Sequence, residues 1–497
     1  MFPKLLLHPF LSRTVVYSTL IAAAAAINEQ TLPVTNTNTN TNTIPTTVNV
    51  DVAIIGGGAS GTYAGVRLRE DLHKSILIIE SSPRLGGHTD TYTVPTTNTT
   101  IEYGVQSYIN YGAAPSFFSR FNLSTAVPAR RALTTLNVDI TTGALLTTYT
   151  PPSSAATTAA FRTWLEFVEE HESLLEPGYW NFPAPTAIPA EFLTPFGDFA
   201  RTHGVEAAVP RIAAISDVGV GGLAQILTLD VIQAFGAPIT RGVLDGTLVA
   251  PQGSNSLLYQ RAHALLKNDI YLNASVKRAE RNSTGARLVV STPQGDAVIH
   301  AKQVLWTPYP HHAKNLRTFA EDARETEVFA SWAPSWSFVA VVHIPCIPEN
   351  FSVQYLPPTA APANYLAVRD YPYTLRLDST GPGGMQLFRM LFSTNYSITH
   401  DEVKATVAQN VQNLVDARTL NYTANCEIDF RAFADHTGVT WPRGRTELEN
   451  GFVQKLYGLQ GWRSTWWTGR SWTGYYSSAV WTFTDTVLER MIGALGD

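Results

Sequence analysis

The chain is poor in charge and in cysteine. Only 15% of its 497 residues are Asp, Glu, Lys or Arg, the formal net charge is −5, and there are two cysteines, Cys346 and Cys426. Because no basic surface is available, a nucleic-acid partner is not expected. In an oxidising compartment the cysteines could form one disulfide, but their spacing equally allows two buried thiols. Neither cysteine is expected to be catalytic.

Several common catalytic signatures are also missing. The sequence has no G-x-S-x-G elbow, no Walker phosphate loop and no H-E-x-x-H helix, which removes the commonest hydrolase and NTPase interpretations. His311 and His312 are not accompanied by a metal-ligand pattern of other histidines or acids, so no metal site is predicted.

The first 47 residues are not expected to belong to the folded body. Lys4 and Arg13 flank an apolar leader, and the apolar run that follows ends in five alanines. This pattern predicts a secretory signal peptide over residues 1–26; an uncleaved anchor is the alternative, but the run is short for a stable membrane span. Residues 27–47 contain an alternating Thr/Asn tract, which predicts a flexible linker.

N-linked glycosylation sequons are spread along the rest of the chain. They favour a secreted or secretory-lumen glycoprotein, although a Thr-rich chain also produces some of them by chance. Their asparagines are Asn98, Asn122, Asn273, Asn282, Asn350, Asn395 and Asn421.

A glycine-rich turn lies between a short apolar strand and a helical pattern. Its G-x-G-x-x-G glycines follow the run Val52–Ile55, and Glu80 ends a second apolar run. Only glycine lets the backbone leave a buried strand, approach a pyrophosphate closely and begin a helix whose positive N-terminus faces the phosphates. Glu80 stands at the distance of the acid that binds an adenosine ribose. The residues predicted to hold a dinucleotide here are Gly56, Gly57, Gly58, Ser60, Gly61 and Glu80.

The block after Glu80 indicates which dinucleotide is bound. It reads S-S-P-R-L-G-G-H-T and resembles the E-x-x-x-R-x-G-G-[RH] extension of flavoproteins in the amine-oxidase superfamily. An arginine and paired glycines beyond the acid can bring charge and bare N–H groups to a second stretch of pyrophosphate and ribityl chain. The cofactor is therefore expected to be FAD, with His88 as a phosphate or flavin neighbour rather than a covalent attachment point. This block adds Arg84, Gly86, Gly87 and His88 to the predicted site.

A second motif lies near the C-terminus. The segment W-T-G-Y-Y-S-S-A-V, which begins at Trp472, resembles the W-S-G-Y-x-x-G-A motif of flavin amine oxidases. The resemblance implies that this segment closes the flavin site. Backbone N–H groups at Ser477 and Ser478 would face the pyrimidine carbonyl, where negative charge develops on reduction. Tyr475 would form one wall of an aromatic cage beside the flavin, a catalytic position.

The same segment departs from the superfamily pattern. An acid usually follows the glycine that corresponds to Gly469, whereas this chain has Arg470 and a shorter loop. Gly469 is still expected to bind the cofactor, and Arg470 has no assigned role. The shorter loop resembles a fungal branch that includes beta-cyclopiazonate dehydrogenase, and the similarity runs from about Val50 to the C-terminus. Since that branch oxidises a nitrogen-containing secondary metabolite, the substrate need not be a simple amine.

Two further positions follow from the order of elements in the superfamily. Val276 would contact the adenine through its backbone, the alternative being an ordinary core valine. Many members place a lysine near flavin N5, through a water, on the loop after a V-x-x-T-x-P strand. Lys314 stands at that separation here and is the candidate catalytic lysine; the alternative is a solvated lysine in the first turn of a helix.

The expected fold class is α/β, with a Rossmann-type FAD-binding domain and an inserted α+β substrate domain. Helical aromatic stripes fill much of the stretch between Ala113 and Ala250, and Trp336–Met390 is expected to supply an antiparallel sheet. The predicted FAD-binding segments are 48–112, 245–330 and 440–497, and the predicted substrate-domain segments are 113–244 and 331–439.

The expected activity is that of an FAD-dependent oxidoreductase. A hydride would pass from a C–H next to nitrogen in a small molecule to flavin N5. Because no second glycine fingerprint offers a nicotinamide site, molecular oxygen is the expected acceptor. The alternatives are a flavin dehydrogenase or desaturase of a metabolite, a secreted protein that keeps FAD structurally, and a nicotinamide dehydrogenase.

Overall fold

The computed structural model describes residues 47–495, apart from 130, 217–225, 312–314, 331, 370–371 and 441–443. The predicted signal peptide, almost all of the predicted linker, and Lys314 therefore lie outside the described residues. Within the part of the chain that is described, no helix is both long enough and apolar enough to cross a membrane.

The described residues combine helices with both parallel and antiparallel strands, which confirms the predicted α/β class. The strands are β1 Thr47–Ile55, β2 Ile76–Ile79, β3 Thr91–Thr93, β4 Thr100–Glu102, β5 Thr125–Ala126, β6 Thr134–Asp139, β7 Ala250–Pro251, β8 Ile270–Tyr271, β9 Ser275–Asn282, β10 Gly285–Thr292, β11 Gly295–Trp306, β12 Ala333–His343, β13 Phe351–Leu356, β14 Tyr373–Thr380, β15 Leu387–Thr394, β16 Asp429–Asp435, β17 Gly438–Thr440 and β18 Thr465–Trp467. The α-helices are α1 Ala59–Val66, α2 Ala114–Arg120, α3 Ser154–Glu170, α4 Glu172–Leu175, α5 Phe196–His203, α6 Val209–Ser216, α7 Thr228–Ala234, α8 Ala237–Leu244, α9 Ser256–Leu266, α10 Ala323–Phe329, α11 His400–Asp416, α12 Arg445–Glu449, α13 Phe452–Tyr457 and α14 Ser477–Leu495.

The first sheet is the Rossmann-type sheet. Its order is β8-β2-β1-β11-β10-β9, with β18 also paired to β11. All pairings among β8, β2, β1, β11 and β18 are parallel. Strand β10 pairs antiparallel with both of its neighbours, β11 and β9. Every residue of β2 is buried, as are the last four of β1, which is the apolar pattern of strands covered on both faces.

Two helices from opposite ends of the chain pack together beside this sheet. The hydroxyl of Tyr63 on α1 donates to Asp485 Oδ2 on α14 at 2.7 Å, and Arg67 Nε donates to Oδ1 of the same carboxylate at 2.9 Å. The indole Nε1 of Trp481, also on α14, donates to the Ala59 carbonyl at 3.1 Å. These contacts join residues more than 400 positions apart, and the start of α14 thereby comes close to the start of α1.

The second sheet has the order β16-β12-β15-β14-β13-β6, with β17 also paired to β12. Its main pairings are antiparallel, as expected for the region around Trp336–Met390. Helix α11 contributes to the core of this sheet through Val403, Val407 and Val411, which recur every four residues along one face. Thr399 and Glu402 cap the helix start reciprocally.

One strand of the second sheet was not expected. Residues 134–139 lie in the stretch interpreted as helical, but they form β6, which pairs in parallel with β13 more than 200 residues later. Val138 is the only residue of this strand that is buried, and the strand shows little alternation between buried and exposed positions. The pairing is non-local and at the sheet edge, which explains why the local pattern did not indicate a strand.

The aromatic stripes of the helical region pack on one another. The Trp164 indole of α3 donates to the Phe235 carbonyl at 2.9 Å, and its ring meets the rings of Phe196 and Phe199 edge-on. All three side chains are almost fully buried. These rings therefore belong to the core, and none of them lines the large cavity described below.

Cys346 and Cys426 form a disulfide, which decides between the two alternatives that the sequence left open. It connects the loop after β12 with the segment between α11 and β16. The first sheet takes its strands from residues 47–306 and 465–467, and the second from residues 134–139 and 333–440. The domain bounds given from the sequence stay a prediction.

Candidate active site

The ends of four parallel strands meet at one edge of the first sheet. The amide of Gly56, after β1, donates to the Ile79 carbonyl of β2 at 2.8 Å. The amide of Thr307, after β11, donates to the Ile55 carbonyl at 3.0 Å, and the amide of Thr468, after β18, donates to the Trp306 carbonyl at 3.0 Å. Ligands of open parallel sheets bind at this carboxyl edge, so it is the expected place for a dinucleotide.

The glycine turn after β1 is closely packed on one side and open on the other. A Cβ at Gly61 would lie 1.9 Å from the Gly56 carbonyl oxygen, so only glycine fits there. A Cβ at Gly58 would meet nothing closer than the Gly87 Cα at 3.8 Å, and it would enter the cavity in front of α1. This bare backbone at the N-terminus of α1 fits a pyrophosphate.

Glu80 fastens this turn to the end of β2. Its Oε2 accepts from the Gly57 amide at 2.6 Å, and its Oε1 accepts from the Ser82 amide at 2.6 Å. The side chain is only 7% exposed, yet it lines the cavity. Glu80 is therefore held in place before any ribose arrives.

The C-terminal motif reaches the same edge. Gly469 has φ +117°, and a Cβ there would lie 2.9 Å from the Thr307 carbonyl oxygen, so the backbone after β18 passes directly beside the end of β11. Helix α14 begins at Ser477, which lines the cavity. The Ser478 hydroxyl points elsewhere, because it donates to the Ile109 carbonyl at 2.7 Å and the residue is buried.

One cavity of about 1180 Å³ connects these elements. It exceeds the roughly 300–1,000 Å³ of common small-molecule pockets, so it has room for a dinucleotide together with a substrate. Three predicted residues do not line the cavity, namely Gly57, Gly61 and Ser478. Asn315, which follows Lys314 in the sequence, does line the cavity. The predicted site residues that line the cavity are Gly56, Gly58, Ser60, Glu80, Arg84, Gly86, Gly87, His88, Val276, Gly469, Tyr475 and Ser477.

A polar cluster that the sequence did not reveal surrounds His88. Arg84 forms an ion pair with Asp90, whose Oδ2 also pairs with His436 Nε2 at 2.8 Å. The His436 ring stacks on the His88 ring with centroids 4.1 Å apart. Burial, together with the electrostatic effects of His436, Arg470 and Arg84, lowers the pKa of His88 well below its ordinary value, so His88 is neutral at pH 7. His436 follows a strand of the second sheet, and no local motif marks it.

No metal-binding group accompanies this cluster. Among the described residues, no set of three or more His, Cys, Asp and Glu side chains is arranged to hold a metal ion.

Arg470 has a structural partner in the C-terminal motif. Its guanidinium carbon lies 4.1 Å from the centroid of the Tyr475 ring, which is a cation–π contact. The residue that replaces the usual acid of the superfamily therefore covers one face of the predicted cage tyrosine.

The second sheet forms the far wall of the cavity. Its polar side chains could not be found from the sequence, because they are spread over four strands, β12, β14, β15 and β16, that are distant in sequence. Its apolar side chains at this wall include Val339 and Leu391, which are opposite each other on β12 and β15. The polar residues that it contributes are Ser337, Arg376, Asp378, Arg389 and Asp435.

A buried carboxyl lies behind the C-terminal motif. Glu176 Oε2 is inaccessible and has no hydrogen-bond partner among the described residues. A Cβ at Gly474, next to Tyr475, would lie 3.6 Å from Glu176 Oε1. Burial, reinforced by the Glu172 carboxylate and opposed by Arg241, raises the pKa of Glu176 to about 8.

Glu176 should make the protein less stable as the pH rises. Its pKa is raised from 4.5 to about 8 on folding, so its stabilising contribution is complete below pH 4.5 and is lost as the pH rises towards 8. Between these limits, the stability of the wild type should fall relative to Glu176→Gln by at most about 5 kcal/mol. Denaturant unfolding across this pH range measures it. The exposed Glu166→Gln variant is the control, and parallel curves for wild type and Glu176→Gln would contradict the assignment.

Gly58→Ala should prevent dinucleotide binding without unfolding the chain. The added methyl group has space in the protein but occupies the position expected for the pyrophosphate. The dissociation constant for FAD should rise by at least about tenfold, with the thermal stability of the cofactor-free protein unchanged to within about 1 kcal/mol. Gly493→Ala is the matched control, because a Cβ at Gly493 would have no atom within 4 Å. If Gly58→Ala bound FAD as tightly as the wild type does, the pyrophosphate could not lie in front of Gly58.

The comparisons with known sequences agree with this geometry. Residues 54–121 match the family described as NAD(P)-binding Rossmann-like domain. The FAD-dependent oxidoreductase pigF of Monascus ruber is 33% identical over 449 residues, which cover 89% of this chain and 91% of that protein. The beta-cyclopiazonate dehydrogenase of Aspergillus oryzae is 30% identical over 450 residues, which cover 90% of this chain and 93% of that protein.

Solved structures show the same fold at lower identity. A fatty acid isomerase from P. acnes that produces CLA superposes with a TM-score of 0.69 at 16% identity, over 89% of this chain and 98% of that one. A putrescine oxidase bound to putrescine superposes with a TM-score of 0.57 at 15% identity, over 90% of this chain and all of that one. The solved structures share the fold, and the curated relatives establish that the chain belongs to the family of FAD-dependent oxidoreductases represented by the fungal proteins, and that its cofactor is FAD.

Proposed function

We propose that this FAD-dependent oxidoreductase oxidises a C–H bond next to nitrogen in a small metabolite, with molecular oxygen as the electron acceptor. When bound, the flavin supplies the redox chemistry by accepting the hydride at N5. The observation that carries the proposal is the single cavity that runs from Gly58 and Glu80 to Tyr475 and the second sheet. A cofactor bound from Gly58 to Tyr475 and a substrate bound beside the second sheet would therefore share one cavity and could be in contact.

The residues of the chain position the reactants and set the electrostatics. Gly58 and the N-terminus of α1 would hold the pyrophosphate, while Glu80 would bind the ribose. The N-terminus of α14 at Ser477 presents its positive end to the cavity, where it would stabilise negative charge that develops on the flavin pyrimidine. Val339 and Leu391 would exclude water from the substrate end.

Lys314 remains the candidate for holding a water beside the flavin. The support for this role is the resemblance in sequence, together with the position of the next residue, Asn315, on the cavity wall. The Asn315 side-chain amide donates to the Tyr309 carbonyl at 2.9 Å, which fixes the loop at that point.

A flavin dehydrogenase of secondary metabolism is the second candidate, and Arg470 favours it. A protonated amine on the face of Tyr475 that Arg470 covers would meet a like charge, so a neutral or anionic nitrogen compound suits this end of the cavity better. The relative named beta-cyclopiazonate dehydrogenase supports the same candidate.

Anaerobic reduction of the flavin tests the proposed reaction. A panel of simple amines and indole alkaloids should include a compound that bleaches the flavin absorbance, and deuterium at its carbon next to nitrogen should slow the bleaching. Admission of air should restore the absorbance and release hydrogen peroxide. Tyr475→Ala should slow the bleaching by about tenfold or more, because the substrate loses a wall that orients it.

One control variant and two contrary results distinguish the proposed reaction from its alternatives. Exposed Tyr396→Ala is the control and should leave the bleaching unchanged. An isotope effect confined to a carbon not bonded to nitrogen would contradict the proposed reaction and favour a desaturase. Flavin that dithionite reduces but no compound of the panel reduces would favour a structural role for FAD.

We also propose that the protein passes through the secretory pathway, with residues 1–26 as its signal peptide. The Cys346–Cys426 disulfide supports this, because disulfides persist in oxidising compartments. The asparagines of all seven sequons are exposed, as N-linked glycosylation requires.

Expression in a fungal host tests this route. The protein should appear in the secretory fraction without residues 1–26, and an N-glycosidase should lower its mass. Alkylation without a reductant should leave Cys346 and Cys426 unmodified. An unglycosylated protein that retains residues 1–26 in the cytosolic fraction would contradict the proposal.

A further inference from the structure

Arg389 reaches the cavity from the second sheet and has an unusual environment. It lies on β15 between two buried residues, and it lines the cavity with Gln106. Its Nη1 donates to Gln106 Oε1 at 2.7 Å. The Nε of Arg389 is inaccessible and has no hydrogen-bond partner among the described residues.

The nearest candidate counter-ion is already engaged. Asp378, opposite Arg389 on β14, accepts from the Ser352 hydroxyl at 2.6 Å and pairs with Arg376 Nε at 3.0 Å. In the part of the chain that the structure describes, Arg389 forms no ion pair with a carboxylate. The two arginines of β14 and β15 therefore stand beside one carboxylate, that of Asp378, which is paired with Arg376 and leaves Arg389 without a carboxylate of its own among the described residues.

An uncompensated guanidinium in such a place is costly. Burial and the neighbouring Arg376 lower the pKa of Arg389, with the carboxylates of Asp378 and Glu102 opposing them. Arginine nevertheless stays protonated in proteins, so its charge must be balanced by a partner. An N–H group without an acceptor adds a further desolvation cost. An anionic ligand beside the guanidinium in the cavity would balance the charge.

We propose that Arg389 and Gln106 form an anion subsite for the substrate, which recognises a carboxylate or another planar pair of anionic oxygens. A guanidinium matches such a pair with two parallel N–H donors, and the Gln106 amide adds another polar group. The apolar side chains of Val339 and Leu391 line the same wall, so the substrate joins an apolar body to an anionic end. The inference deepens the proposed function, because it places the substrate at the end of the cavity opposite the predicted dinucleotide turn.

The phosphates of FAD are the competing source of negative charge. The predicted pyrophosphate position lies at the N-terminus of α1 on the first sheet, with the positive helix end and Arg84 nearby. Arg389 stands on the second sheet instead, which favours the substrate as its partner. Retention of FAD by an Arg389 variant distinguishes the two sources.

Calorimetric titration of the purified holoprotein tests the subsite without any need for turnover. The probes are benzoate and indole-3-acetate, each compared with its neutral amide. The wild type should bind at least one of the carboxylates about tenfold or more tightly than the matching amide. Arg389→Met should abolish this preference, Arg389→Lys should keep part of it, and both should retain FAD. Arg431→Met, on the exposed part of β16 in the same sheet, is the matched control and should behave as the wild type.

The contrary results are distinct from one another. Equal binding of acid and amide by the wild type, or an unchanged preference in Arg389→Met, would overturn the subsite. Loss of FAD from Arg389→Met together with unchanged thermal stability would assign the guanidinium to the cofactor and would also overturn it. A wild type that contains no FAD but still prefers the carboxylates would refute the proposed function and leave the subsite supported.

Discussion

The arrangement of the site depends on the pairing of β11. This strand runs parallel to β1 along most of its length and, after its antiparallel pairing with β10, parallel to β18 at its last three residues. Because parallel strands end at the same edge, the turns at Gly56, Thr307 and Gly469 are brought side by side. A shift of one residue in the register of β11 with β1 or with β18 would turn the side chains of the shifted strand to the opposite face of the sheet.

Helix packing fixes the second half of the site relative to the first. Asp485 of α14 accepts from Tyr63 of α1 and from Arg67, which directly follows α1, and Trp481 donates to the Ala59 carbonyl. Two helix N-termini therefore open on one cavity, each with a positive end. A molecule that carries a pyrophosphate and develops negative charge on a separate ring suits this arrangement, and FAD is such a molecule. The second sheet closes the cavity with apolar residues and with the cation of Arg389.

What the sequence could predict was local. The glycine turn, Glu80 and the start of α14 are marked by short motifs, because each needs several neighbouring residues to build a turn or a helix end. His436, Arg389 and Gln106 are single residues that the tertiary fold brings to one cavity from separate parts of the chain, so no local pattern marks them. For the same reason the local pattern does not mark β6 as a strand, because its partner is the distant β13. Arg470 was recognised as a departure, but only its contact with Tyr475 gave it a role.

The central claim is that one FAD molecule lies between the glycine turn and the start of α14. A crystal structure of the purified holoprotein tests it most directly. The account predicts electron density for the pyrophosphate in front of Gly58, for the ribose at Glu80 and for the flavin pyrimidine at Ser477, with the rest of the ring beside Tyr475. Density for a flavin bound away from α14, or for a nicotinamide dinucleotide in its place, would contradict the account.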